Sequence, residues 1–475
     1  MAVRRGDRYQ VEMFPKSLDE QVDEADPVRV YDRFVDCLEL ETLGLKVKEN
    51  AEGNPVYDPS SMLKLILYGY SYGIRSSRRL ERAVYHNIQF MWLMGGLKPD
   101  HKTISLFRQR NKTTLKNVFK RCVQLCIKLG AVKGNTLIVD GTKMRANAGN
   151  KQQFSRPQAR QKVDELNRRI SKMLNECDRV DLTECNDDSW VKLPENLSTL
   201  QKQKEAIETA LNELKEEEKS FNLVDPDCKI MASRQGSHAG YSVQLVTDEQ
   251  DGLIVSHDVT NALNDQGQLG IQLHHAQENT GILPRYAVAD KGYSKREDCF
   301  AVEHSGIQVI TPPIDYAPRS EQSHQFSQRH FFYDTKQDAY RCPEGHRLPC
   351  FKIDRNRVRS YRIETAKLCL DCPQFNRCTT SQKGRTITRK PSQEQADSLS
   401  ARFHSDLGQS LYRKRGQRAE VPFGHLKRNL GVSSFLLRRF EGANAEMAVL
   451  STCYNLSRLI SLLTPTQLLS RLATP

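Results

Sequence analysis

Between Pro59 and Asn111 apolar residues recur at mixed three- and four-residue spacing, with short Gly and Ser breaks (SSMLKLILYGYSYGIRSSRRLERAVYHNIQFMWLMGG), a pattern that predicts packed helices. Asp58 as a cap and Pro59 at the first helical position mark one start. HKTISLFRQRN (101–111) and LKNVFKRCVQLCIKLGA (115–131) continue as helices with basic faces. The whole of 28–130 therefore reads as helical. Its Arg and Lys content suits a DNA-binding module of helix-turn-helix type; a packed support domain is the other reading.

The period then changes. Thr136 to Val139 is a short apolar, β-branched run ending in Asp140-Gly141, which predicts a buried strand presenting a carboxylate at its end. Residues 151–222 return to helical spacing. Val163, Leu166, Ile170 and Met173 recur 3-4-3, and Leu200, Ile207 and Leu214 recur every seven, interleaved with Leu197 and Leu211. A polar, turn-rich stretch (CDRVDLTECNDDSWVKLPEN) separates the two runs, so the segment predicts an inserted antiparallel helical hairpin, packed on itself rather than dimerising. Strands follow in 240–260, joined through Asp251-Gly252, then a helix around 264–277 and a strand in RYAVADKGYS (285–294) that ends in Asp290. A helix near 295–305 and the strand IQVITPP (307–313) close the run. Residues 319–397 are polar and rich in cysteine, and 398–465 are again helical. With the hairpin set aside, the order predicts a mixed α/β sheet with an antiparallel start and a parallel continuation, with acids at the ends of its first and fourth strands.

Composition adds a partner. The 475 residues carry a formal charge of +13 and a pI near 9.1, which favours an anionic partner, most economically nucleic acid. No run of 18 apolar residues and no signal peptide are visible, so a non-membrane, cytoplasmic protein is expected. The 13 cysteines then read as core residues, metal ligands or nucleophiles instead of a disulfide framework.

The chemistry lies in three acids. Asp140 and Asp290 each follow an apolar strand and are each followed by Gly within two residues. Glu420 is the single acid of LYRKRGQRAEVPFGHLKR, and residues 402–439 hold nine Lys or Arg against two acids, Asp406 and Glu420. A carboxylate cluster repels itself unless a divalent cation sits within it, and such oxygen donors suit Mg²⁺ or Mn²⁺. Arg413, Lys414, Arg415, Arg418, Lys427 and Arg428 can neutralise phosphates around it. A second constellation is Cys342-Pro-Glu-Gly-His346 followed by Cys369-x2-Cys372-x5-Cys378, which predicts a structural Zn²⁺ on Cys342, Cys369, Cys372 and Cys378. His346 competes as a ligand, and Cys350 reads as a bystander. The metal would stiffen a small domain without a core of its own. No phosphate-cradling Gly-Lys-Ser/Thr loop is present, which argues against nucleotide hydrolysis.

LIVDGTKMRANAG, YAVADKGY and Tyr412-x2-Arg415-x4-Glu420-x6-Lys427 resemble the three acidic blocks of the DDE transposases of bacterial insertion sequences. The basic third block is similar, more narrowly, to the Tyr-Arg-Glu-Lys signature of the insertion sequence eleven-eighty-two family. The stretch from Tyr57 to Asn111 resembles the front domain of these enzymes. One departure is that four residues, not three, separate Arg415 from Glu420. The resemblance implies an RNase H-like core in which Asp140, Asp290 and Glu420 hold two Mg²⁺ ions, with Tyr412, Arg415 and Lys427 gripping DNA, helped by Arg418 and Arg428. It implies cleavage at element ends and strand transfer into target DNA, with double-stranded terminal inverted repeats as partner and a homodimer in the DNA complex. Two alternatives stand beside it: a nuclease on the same core that cuts without joining, and a silent DNA-binding relic. The expected organisation is a helical domain (1–130), a catalytic core (131–150, 223–318 and 398–465), a helical-hairpin insertion (151–222) and a Cys-rich zinc-ribbon-like insertion (319–397). Pro422 is expected to kink the helix just after Glu420.

Overall fold

The computed structural model describes residues 16–45, 56–183, 195–214, 220–233, 236–313, 326, 328–391 and 393–473. The chain divides into two units, one of residues 1–287 with 414–475 and one of residues 288–413.

The first unit opens with helices α1 (Pro27–Asp36), α2 (Pro59–Ser71), α3 (Ser77–His86), α4 (Ile88–Leu93), α5 (His101–Arg110) and α6 (Lys112–Lys128). Asp26 caps α1 by accepting from Val28 N, and Asp58 caps α2 by accepting from Ser60 N and Ser61 N. Each cap precedes a proline at the first helical position, where no backbone donor is required, and each stabilises its helix by about 1 kcal/mol.

Strand β1 (Thr136–Arg145) follows. The hairpin insertion then comprises β2 (Gln153–Ser155), α7 (Arg156–Thr183), α8 (Glu195–Glu213) and β3 (Ser220–Asn222). Its own small core forms around Leu166, Ile207 and Phe221, with Val163, Leu200, Leu211 and Leu214 against them, so the heptad positions seen in the sequence do meet. A two-stranded ribbon, Phe154 opposite Phe221, closes the base. Helix α7 runs to Thr183, beyond the start of the polar stretch expected to be a turn; residues 184–194 of that stretch lie outside the described residues.

The sheet of the first unit is built on one long strand. After β4 (Lys229–Ser233), β5 (Gly236–Asp248) pairs antiparallel with β1 along one edge. Its other edge is shared by β4 at its beginning and by β6 (Ile254–Thr260) at its end, both antiparallel. The β5–β6 connection passes through Gly252 at φ +69°, as the Asp-Gly pair predicts. Asp140 is not at a strand end. β1 continues five residues past it because β5 supplies partners as far as Gly240, where any Cβ would stand 2.5 Å from the Met144 carbonyl oxygen. Cross-strand partners share a face, so Asp140, Leu245 and His257 form one row, and Thr142, Val243 and Val259 the next. Helix α9 (Leu269–Thr280) starts later than the expected 264 and stops at Gly281 in the left-handed region. Strand β7 (Tyr286–Ala289) sets out beside β1, where Arg285 N and Tyr286 N both donate to Asn135 O.

In the second unit, Val288 and Ala289 finish β7. Helix α10 (Arg296–His304) leads into β8 (Gln308–Ile310), the neighbour of β7. Strands β9 (Phe332–Asp334), β10 (Ala339–Arg341), β11 (Arg347–Ile353) and β12 (Arg359–Arg362), the short helix α11 (Ala366–Leu370) and β13 (Thr386–Arg389) come next. The strands make an antiparallel meander in the order β13-β12-β11-β10-β9. Contrary to expectation this Cys-rich segment has a core of its own: Phe331, Tyr340, Leu348, Tyr361, Ile363 and Ile387 are buried together. Helix α12 (Gln393–His404) follows, and α13 (Asp406–Gly424) begins here and ends in the first unit.

The chain closes with α14 (Arg439–Leu462) and α15 (Pro465–Ala473) in the first unit. Helix α14 is buried along most of its length and packs against α2, α6 and β6, giving the N-terminal helices and the sheet one shared core. Two of its amides seal the open edge of β6. Asn455 accepts from Ile254 N and donates to Ile254 O, both at 2.8 Å, and Asn444 does the same at Val259 at 3.0 and 3.3 Å. An exposed strand edge is thereby satisfied by side chains.

Candidate active site

The acidic end of the first unit is made where the basic helix α13 meets β1. Asp140 accepts from Gly141 N and from Arg415 Nη2, each at 3.0 Å, and the two charged side chains are only 13% and 15% exposed. Two positions along β1, on the same face, Thr142 Oγ1 accepts from Lys427 Nζ at 2.6 Å. Arg415 and Lys427 stand twelve residues apart, about 18 Å along an α-helix, yet their targets are about 7 Å apart along a strand. The long side chains therefore converge from either side, with Glu420 between them in the chain.

The end of α13 explains how they do so. Pro422 removes the donor for the Arg418 carbonyl, but the helix does not break after Glu420; it runs to Gly424 and widens into a π-helical turn over His425–Asn429. Leu430 N bonds back to His425 O, five residues earlier. An ideal α-helix would leave Lys427 about 120° round from Arg415, and the wider turn, with fewer degrees per residue, brings it back toward β1. Glu420 itself is exposed and five residues from Arg415, so the two side chains leave the helix about 140° apart.

The other predicted residues fall as follows. Asp290, in the second unit, caps the 3₁₀ turn Lys291–Tyr293: its Oδ1 accepts from Gly292 N at 2.8 Å, and its carbonyl accepts from Thr311 Oγ1. Tyr412, also in that unit, meets Phe403 edge-on with ring centroids 5.1 Å apart. Arg418 lies over Gly252, and Arg428 is exposed. Among the described residues, no group of three or more His, Cys, Asp or Glu side chains is placed to hold a metal ion. That holds for the three acids and for the cysteines. Cys342, Cys369, Cys372, Cys378 and His346 nevertheless border one small cavity of about 20 Å³. Backbone amides point at three of the sulfurs: His346 N at Cys342, Gln374 N at Cys372 and Arg385 N at Cys369, at 3.3–3.5 Å. Burial pushes the Cys378 thiol up, partly offset by Arg385.

Thr142 and Lys143 were not singled out in the sequence, although strand alternation from Asp140 marks Thr142 as its neighbour on the same face. Lys143 points to the opposite face, where its ammonium donates to Ser242 Oγ and Ala262 O, and partial burial holds it below the usual lysine range. A desolvated lysine there is invisible to sequence because the strands that surround it come from elsewhere in the chain.

Two family models match the chain. Residues 16–110 match Transposase domain (DUF772), and residues 341–460 match Transposase DDE domain. The second span contains Glu420 and the Arg415–Lys427 segment; Asp140 and Asp290 lie outside both. No curated protein and no solved structure matches. No described helix is long and apolar enough to cross a membrane.

Proposed function

Because this chain is a DDE transposase of the insertion-sequence type, a DNA transposase with a mixed α/β architecture, we propose that it cuts the ends of its element and joins them to target DNA on an RNase H-like core. Asp140, Asp290 and Glu420 are the carboxylates of that reaction. The observation that carries the reading is that one basic helix reaches β1 twice, Arg415 to Asp140 and Lys427 to Thr142, with Glu420 between the two anchors.

The donors fit divalent cations of the Mg²⁺ or Mn²⁺ kind: they are carboxylate oxygens, and Asp140 already carries a cationic partner, Arg415, in the place of one. When bound, such ions supply Lewis acidity to the attacking and leaving oxygens of the phosphodiester. The chain's own part is to keep Asp140 ionised and aimed, through Gly141 N and Arg415, and to offer cations to the DNA. Arg415 and Lys427, released from Asp140 and Thr142, can take phosphate oxygens, the first as a fork and the second as a point charge. Arg418 and Arg428 add further cations, and Tyr412 belongs to the same proposed DNA-contacting set. The narrower insertion sequence eleven-eighty-two grouping, two copies bridging two DNA ends, and a role for the helices before β1 in recognising terminal repeats belong to the same proposal.

Within it, Cys342, Cys369, Cys372 and Cys378 would hold a structural zinc. Their shared cavity is about the size of one bound atom, and amides aimed at the sulfurs favour thiolates. Metal analysis of the purified protein, with a Cys372→Ser control, decides this: less than one zinc per chain lost on chelation sinks it.

Labelled duplex copied from an element boundary, incubated with protein and Mg²⁺, tests the catalytic reading. Cut and joined products are expected, both lost in Asp140→Ala, Asp290→Ala and Glu420→Ala and on chelation of the metal. Cutting without joining would make the protein a nuclease, and activity retained in any of the three variants would overturn the site.

A further inference from the structure

The far end of β1 is sewn to the loop that precedes α14. Phe435 N donates to Arg145 O at 2.9 Å, Asn147 Nδ2 to Leu436 O at 2.7 Å, and Arg438 Nε to Asn147 O at 3.3 Å. From behind, the fully buried carboxylate of Glu446 accepts from Leu436 N and Leu437 N, while Arg75 Nη1 donates to Glu446 Oε1 at 2.8 Å and to Ser434 O at 3.0 Å. Arg108 in turn donates to Arg75 O and to Tyr70 OH. The loop is thus fixed on both sides by interactions that leave little freedom.

In front of it lies a cleft of about 730 Å³, bordered by Arg145, Arg438, His238, Asn147 and Asn150. Among the described residues no Asp or Glu borders it, although Asp225 lies within electrostatic range of Arg438. Asn150 holds the opposite wall by donating to Ser237 O and accepting from Ala239 N, on either side of His238. The His238 Nδ1 is enclosed and has no hydrogen-bond partner among the described residues. A cleft at the other end of β1 shows the contrast: there Lys133, Lys414 and Arg418 share the lining with Asp248 and Glu249.

We propose that the Arg145–Arg438–His238 cleft is a phosphodiester-binding site for a DNA strand, distinct from the carboxylates. The inference rests on the reading of the chain as a DNA transposase. Two exposed guanidinium groups, neither in a salt bridge among the described residues, match the oxygens of a backbone phosphate. The backbone behind them is held rigid, so little order is lost on binding. Arg145 lies five residues beyond Asp140, about 17 Å along the strand and, by strand alternation, on the opposite face, so the cleft takes a phosphate away from the one that is cut.

The test uses the full chain carrying Asp140→Ala, so that binding is read without cutting. Binding of a labelled 40-base-pair duplex copied from an element boundary is measured by anisotropy at increasing NaCl, alongside ethylation interference. Arg145→Gln and Arg438→Gln should each lower the salt slope by about 0.9, and the pair should weaken binding about tenfold at physiological salt. Arg145→Lys should keep the slope. Interference at one phosphate away from the cut should vanish in the double variant. A double variant with the parent's slope, affinity and interference pattern would overturn the proposal. Should Arg438→Gln fail to fold, the exposed Arg145 decides alone by the same slope. If inorganic phosphate at constant ionic strength abolishes the dependence on Arg145, the cleft takes the free anion and the DNA assignment falls. If the parent itself fails to bind the duplex, the transposase reading fails instead.

Discussion

The middle and the end of strand β1 treat charge in opposite ways. At Asp140 the carboxylate is matched by Arg415 and shielded from water; at Arg145, five residues on, cations border a cleft with no acid among the described residues of its walls. The lesson concerns what each place awaits. On the proposed reading, a carboxylate that awaits metal ions is held in place by a guanidinium until they arrive, since an unpaired buried charge is costly. A surface proposed to meet a polyanion keeps its cations out of salt bridges, so that DNA can supply the countercharge.

The sharpest way to break this comparison is Asp140→Asn, which keeps the shape and removes the charge. Cleavage should fall about a thousandfold, a loss of about 4 kcal/mol in transition-state stabilisation, with duplex affinity changed less than threefold. If affinity collapses along with cleavage, the two ends of β1 are not functionally separate. The next effect is on folding. Arg75→Met strands the Glu446 carboxylate in the core behind the Arg438 loop and should cost roughly 3–5 kcal/mol in urea unfolding, whereas Arg75→Met with Glu446→Gln, which removes the charge and keeps an acceptor for Leu436 N and Leu437 N, should recover most of it. A single variant that loses nothing would remove the support argued for the cleft.

A pH series probes the same row of the sheet as Asp140. His257 is fully enclosed against the Phe119 ring, and burial drops its pKa to about 3, with the Asn444 backbone working the other way and Lys116 and His275 adding to the drop. The folded chain keeps it neutral while the unfolded chain takes up a proton below about 6.5. Its contribution is therefore intact above pH 6.5 and lost as pH falls toward 3, at about 1.4 kcal/mol per unit. His257→Gln should flatten that part of the stability–pH curve; an unchanged slope would show that another group is responsible. The smallest expected change is Thr142→Val, which removes the acceptor of Lys427 and should cost about 1 kcal/mol or less in stability. A loss above about 3 kcal/mol would mean the Lys427 anchor holds the whole helix in place.

Much of this was readable along the chain. The caps at Asp58 and Pro59, the heptads of the hairpin and the Asp251-Gly252 turn are local signals, and each appears in the structure where expected. Asp140 was legible as a chemical candidate but misplaced as a strand end, because the extra length of β1 is set by its partner β5. The Cys-rich segment was read as coreless; its aromatic residues are scattered between polar positions, and only the meander gathers Tyr340, Tyr361 and Phe331 into one cluster. Pro422 was read as a kink, whereas the accommodation happens farther on, in a π-helical turn for which the sequence carries no simple sign.

Sequence alone determined the residue types and their order: three acids in separate blocks, a basic segment around the third, and a surplus of cations suited to DNA. These follow from local period and composition. Tertiary structure alone decided which charges are matched. Arg415, expected from the sequence to grip phosphate, rests on Asp140 in the DNA-free chain, while Arg145 and Arg438, some three hundred residues apart in the chain, share one cleft. Pairing across such separations depends on β5 setting the length of β1 and on Glu446 and Arg75 fixing the loop beside it, and a Coulomb contact depends on distance through space, not along the chain.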